Sequence, residues 1–121
     1  MQNFRELKVW EKAHHLTLDI YRVTREFPAD ERYGLVSQMR RAAASIGANI
    51  CEGCGRETRP DFARFLQIAA GSASELEYQL LLAMDLGYVE SGPCGAFVTQ
   101  VCEVKRMLSG LIQRLKQRGA A

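Results

Sequence analysis

The sequence predicts an all-α fold, an up-down-up-down antiparallel four-helix bundle. Three observations predict it. Apolar residues recur at spacings of three and four along most of the chain, and no stretch alternates apolar with polar for the length of a strand. Of the 121 residues 47% are hydrophobic, enough for one core in a single domain spanning 1–121. Breaker residues gather at three places, leaving helices at about 5–26, 32–54, 60–86 and 95–117 joined by short connections.

In the first helix Val9, Ala13, Leu16, Ile20, Val23 and Phe27 form a heptad-type seam, with Trp10, His14, Thr17 and Tyr21 in the row beside it. Pro28 ends the helix, because the residue before a proline is pushed out of the α region. Asp30 or Glu31 then supplies the negative charge favoured at the next helix start. In the second helix Val36, Met39, Ala43, Ile46 and Ile50 share one stripe, and Arg41, Ser45, Ala48 and Glu52 fall opposite. Lys, Glu and Gln usually fill an outer face; small residues there let another helix come close. The second helix is therefore expected to pack on two sides, once in its own bundle and once against a neighbouring subunit. Gly53 and Gly55 are expected to stop it in the left-handed conformation.

Thr58 reads as the N-cap of the third helix, with Pro60 in its first turn. Its stripe is Phe62, Phe65/Leu66, Ala69, Ala73, Leu76, Leu80 and Ala83; Gly71, Ser72 and Ser74 thin the outer surface, and Gly87 closes it. Gly92, Pro93 and Gly95 predict a loop over 88–95. Phe97, Val101, Val104, Leu108, Leu111 and Leu115 make the seam of the fourth helix.

Net charge is +2, but its distribution is uneven. Two basic areas stand out: Arg56, Arg59 and Arg64 at the second turn, and Lys105, Arg106, Arg114, Lys116 and Arg118 on the fourth helix. They read either as solvated faces or as phosphate contacts, which a symmetric assembly would multiply. If residues whose numbers sum to about 116 lie level in the second hairpin, Arg41 meets Glu75, Arg40 lies near Glu77 and Glu52 meets Arg64. Such exposed ion pairs add only ~0–1 kcal/mol each. The alternative makes Arg40 and Arg41 phosphate contacts.

Little points to catalysis. Cys51-x-x-Cys54 sits at a helix end, where the dipole opposes thiolate formation, and Cys94 and Cys102 are expected toward the far end of the bundle. His14 and His15 are adjacent, so their rings diverge by about 100°; His14 is expected to be a partly buried helix residue. No catalytic residues, cofactor or metal site is predicted. No apolar run reaches the ~18 residues a membrane span needs, and the N-terminus lacks a signal-peptide core, so a cytoplasmic location is expected.

Residues 4–56, FRELKVWEKAHHLTLDIYRVTREFPADERYGLVSQMRRAAASIGANICEGCGR, and 62–89, FARFLQIAAGSASELEYQLLLAMDLGYV, resemble the four-helix-bundle proteins of bacterial 23S rRNA intervening sequences. The most specific runs are L-x-V-W-x-x-A, S-Q-x-R-R-A-x-x-S-I-x-x-N-I-x-E-G-x-G-R and F-L-x-I-A-x-G-S-x-x-E-L-E. The resemblance implies a homopentamer with no catalytic activity or cofactor. It also implies kinship with accessory proteins of diversity-generating retroelements, hence RNA or DNA and a reverse transcriptase-like protein as partners. The motif positions carried over are Ser37, Gln38, Arg40, Arg41, Ser45, Asn49, Glu52, Gly53, Gly55 and Arg56; Cys51 and Cys54 depart from the usual alanine and aromatic residue. The subunit contact is expected at Gln38, Arg41, Ser45, Ala48, Asn49, Glu52 and Glu75. The expected function is a ring that binds nucleic acid through its basic patches; the alternative is a protein scaffold that touches none.

Overall fold

The computed structural model describes residues 2–120, and the side chains of 2–117. A single 3-10 turn, Phe4–Glu6, leads into α1 (Lys8–Thr24); a second, Ala29–Glu31, leads into α2 (Leu35–Cys54); α3 (Arg59–Asp85) and α4 (Ser91–Ala120) complete the chain. Helices adjacent in sequence pack together and α4 closes back on α1, while the diagonal pairs make no close backbone approach among the described residues. The result is the antiparallel four-helix bundle, and no strand occurs among the described residues.

The heptad-type seams become its core. Leu16, Ile20, Met39, Ile46, Ile50, Leu66, Leu76, Val101 and Leu108 are fully buried, and Val104 and Leu80 nearly so. Each such side chain contributes roughly 1.5–3 kcal/mol by leaving water. Alanines at Ala13, Ala43, Ala69 and Ala73 are also fully buried and bring the backbones close. Thr17 marks one such approach: its hydroxyl reaches the carbonyl of Ala43 at 3.0 Å as well as Ala13 in its own helix.

The helix ends follow local chemistry. The Thr58 hydroxyl accepts from the Asp61 N–H at 3.2 Å, with Pro60 in the first turn where no N–H is needed. Gly87 adopts φ 82°, with Gly87 N–H donating to Met84 and Tyr88 N–H to Ala83, both at 2.9 Å. This is the Schellman arrangement that ends α3. Glu31 accepts from the Leu35 N–H at 3.2 Å and from the Tyr88 hydroxyl at 2.8 Å, so one carboxylate caps α2 and ties down the α3–α4 turn.

Three expectations about helix ends are corrected. α2 starts at Leu35 rather than near 32, because Ala29–Glu31 take a separate 3-10 turn. α4 starts at Ser91, so Gly92, Pro93 and Gly95 lie inside its first turns; a proline there sacrifices only an N–H that the helix leaves unpaired. Neither Gly53 nor Gly55 takes a positive φ. Gly53 serves instead as a point of close approach: a Cβ there would lie 2.9 Å from Phe62 Cδ1 and 3.3 Å from the Phe62 carbonyl oxygen.

Candidate nucleic-acid interface and subunit contact

The basic residues of the α2–α3 turn are organised by an aromatic ring. The guanidinium of Arg56 lies 4.7 Å from the centroid of the Phe65 ring, and that of Arg64 lies 4.6 Å from it. Arg56 also pairs with Glu52 at 2.7 Å, four residues back in α2, and Arg64 approaches Asp61 at 3.7 Å. The expected Glu52–Arg64 pair is therefore replaced by two pairs, each formed with a close neighbour in the chain. Residues three or four apart on one helix are already surface neighbours, so such pairs form without depending on the register between two helices.

The fold then brings a piece of α4 to this turn. Arg59 and Arg64 of α3 line one groove with Lys116 of α4, over Ala63 and Leu115, which are nearly buried. Arg106 and Arg114 line a different groove, between α4 and the start of α1, together with Lys8 and Glu6. Arg118 lies outside the described side chains. Lys105 is placed apart, paired with Glu77 of α3 at 3.0 Å. Among the described residues Arg59, Arg106, Arg114 and Lys116 form no ion pair.

Arg40 and Arg41 separate in role. Arg40 reaches back to α1, donating to the Thr24 hydroxyl at 2.9 Å and the Tyr21 carbonyl at 3.1 Å, with its guanidinium over the Tyr21 ring. It therefore satisfies acceptors near the C-terminal end of α1, and the expected approach to Glu77 is not made, since Glu77 pairs with Lys105 instead. Arg41 and Glu75 are both exposed and form no ion pair among the described residues.

The small-residue face of α2 divides in two. Ser45 and Asn49 are half-buried against α3: the hydroxyls of Ser45 and Ser72 are 2.9 Å apart, and the Asn49 amide donates to the Ser45 carbonyl at 2.8 Å and hydroxyl at 3.0 Å. This corrects the placement of Ser45 on the outer side. Gln38, Arg41, Ala44, Ala48 and Glu52 are exposed, and on α3 so are Ile68, Tyr78 and Leu81. The packing of Trp10, its indole near Gly47 and its ring 5.0 Å from His14, was not legible from spacing alone. His14 is exposed rather than partly buried, because it stacks on the outside of Trp10.

The thiols do not converge with other metal-binding groups: among the described residues no three His, Cys, Asp or Glu side chains could hold one ion. Burial, with a smaller contribution from Cys51, pushes the Cys54 thiol up to about 11. Burial also raises Cys94, whose thiol approaches the Leu80 carbonyl at 3.4 Å. No helix among the described residues is long and apolar enough to cross a membrane.

A family model described as 23S rRNA-intervening sequence protein matches residues 5–110. A crystal structure of a protein of unknown function from the S23 ribosomal protein family of Bacteroides thetaiotaomicron is similar, with a TM-score of 0.80 and 26% identity. The similarity covers 87% of this chain and 95% of that one. No curated protein matches the chain.

Proposed function

This chain belongs to the 23S rRNA-intervening sequence protein family, and we propose that it acts without catalysis as a ring-forming homopentamer that holds RNA or DNA on basic surfaces repeated by symmetry. One observation carries the reading: Arg59 and Arg64, more than fifty residues before Lys116 in sequence, line the same groove with it. Cations that gather from distant parts of a chain, two of the three with no carboxylate partner among the described residues, favour an anionic partner from outside. Phosphate groups are that partner, and the affinity comes from counterion release. Repetition around a ring turns a net charge of +2 per chain into a larger field.

Assembly is supported by the outer surface. Exposed Ala44 and Ala48 on α2 leave room for a neighbouring copy, and Ile68, Tyr78 and Leu81 on α3 give apolar area to bury. In this reading Gln38, Arg41, Ala48, Glu52 and Glu75 meet the neighbouring copy, while Ser45 and Asn49 brace them from within the chain. The protein works in the cytoplasm, where a reverse transcriptase-like protein is a candidate partner.

The test is a salt titration of binding to generic RNA and DNA, run beside light scattering for mass. Affinity should fall linearly on logarithmic axes as salt rises. Absence of binding at low salt would leave the scaffold reading, for which the apolar groove between α3 and α4 beside Tyr78 and Leu81 speaks.

A further inference from the structure

We infer that the α3–α4 groove at Arg59, Arg64 and Lys116 takes an unpaired nucleotide, so that the nucleic acid held there is single-stranded; this rests on the nucleic-acid reading and narrows it. The groove is about 450 Å³, within the size range of small-ligand sites. It is concave and chemically mixed. Ala63 and Leu115, 5% and 9% exposed, form an apolar floor; Arg59, Arg64 and Lys116 are exposed cations; and Gln67 adds an exposed amide.

Those parts match the parts of a nucleotide. The cations suit the phosphates on either side of it. The Arg64 guanidinium lies 4.6 Å from the centroid of the Phe65 ring, which keeps it at the edge of the groove, where a planar guanidinium can stack on a base. The Gln67 amide carries both donors and an acceptor, as the edge of an unpaired base requires.

A duplex fits the same groove poorly. Its bases are stacked inside the helix, and extruding one costs a few kcal/mol. Its phosphates alone would use the cations but not the apolar floor or the amide. A flat or convex basic surface would suit a duplex as well as a strand; a groove with an apolar floor favours the strand.

The experiment is fluorescence anisotropy at fixed low salt, using a labelled single-stranded oligonucleotide of mixed sequence and the blunt duplex made from it. The strand should bind about tenfold more tightly than the duplex. Gln67→Leu, which leaves net charge unchanged at an exposed position, should remove most of that preference and leave duplex binding unaltered. Arg64→Ala should weaken the strand more than the duplex, with circular dichroism confirming that both variants remain helical. Equal binding of strand and duplex, or a preference unaffected by Gln67→Leu, would overturn the inference while leaving the basic-surface reading in place. Absence of binding to either would remove that reading and this one with it.

Discussion

The hydroxyls of Ser45 and Ser72 meet at 2.9 Å across the α2–α3 interface, and Asn49 completes the group by donating to Ser45. Each hydroxyl is the other's hydrogen-bond partner at half-buried positions between the two helices. Ser45→Ala should cost about 0.5–1.5 kcal/mol in urea unfolding, the usual net value of one internal hydrogen bond. In a double-mutant cycle with Ser72→Ala the second loss should be smaller than the first, since the partner is already gone. Fully additive losses would show that the two hydroxyls are not coupled.

The same pair shows how far the sequence could be read. A register sum near 116 was legible from the turn position, and Ser45 with Ser72 gives 117. The buried seams were legible too, since each helix shows its apolar stripe independently of the others. Ion-pair partners were not. Arg56 and Arg64 found carboxylates within one turn, and Arg40 found acceptors on α1, a helix that hairpin arithmetic on α2 and α3 leaves out. The groove of Arg59, Arg64 and Lys116 was hidden for a related reason. Both basic areas were visible as composition, but their meeting depends on where the end of α4 packs against the start of α3.

Gly53 and Gly71 should respond in opposite ways to alanine. A Cβ on Gly53 would press on Phe62 Cδ1 at 2.9 Å, on Phe65 Cβ at 3.1 Å and on the Phe62 carbonyl, so the helices must part. Overpacking of this kind costs about 1–3 kcal/mol. A Cβ on Gly71 meets nothing within 4 Å, and replacing a mid-helix glycine recovers up to about 1 kcal/mol of helix propensity. Thermal unfolding of the two variants should therefore bracket the parent protein.

Alkaline pH should loosen the α3–α4 turn. The hydrogen bond to the Glu31 carboxylate raises the Tyr88 phenol above its ordinary value of 10.0, with burial adding to it. The folded chain thus holds this proton more tightly than the unfolded chain does. The contribution is complete below pH 10.0 and is lost as pH rises through the higher folded value. Stability measured in urea should fall above pH 10, and Tyr88→Phe should flatten that part of the profile. Cys54, raised from 9.0 to about 11, acts in the same direction and stays present in both proteins, so the difference between them isolates Tyr88.

Arg41→Ala separates assembly from folding. The side chain is exposed and has no ion-pair partner among the described residues, so its removal should change the stability of the isolated bundle by no more than about 0.5 kcal/mol. At a subunit contact the same substitution leaves the partner's groups unpaired, and light scattering should record dissociation to smaller species. A variant that keeps both its mass and its nucleic-acid affinity would remove Arg41 from the function altogether.

Lys116 and Lys105 lie on the same helix and carry the same charge, yet neutralising them should have different effects. Lys105 already commits its ammonium to Glu77 at 3.0 Å, and Lys105→Ala frees that carboxylate. Its variant should bind nucleic acid somewhat less well through the change in net charge, with little change in salt dependence. Lys116 faces the groove of Arg59 and Arg64 and has no such partner among the described residues. If its ammonium touches a phosphate directly, Lys116→Ala should lower the slope of log affinity against log salt by about 0.7 for a single strand. Equal slopes for the two variants would mean that Lys116 contributes only to the general field, and the groove would lose its claim to hold phosphate.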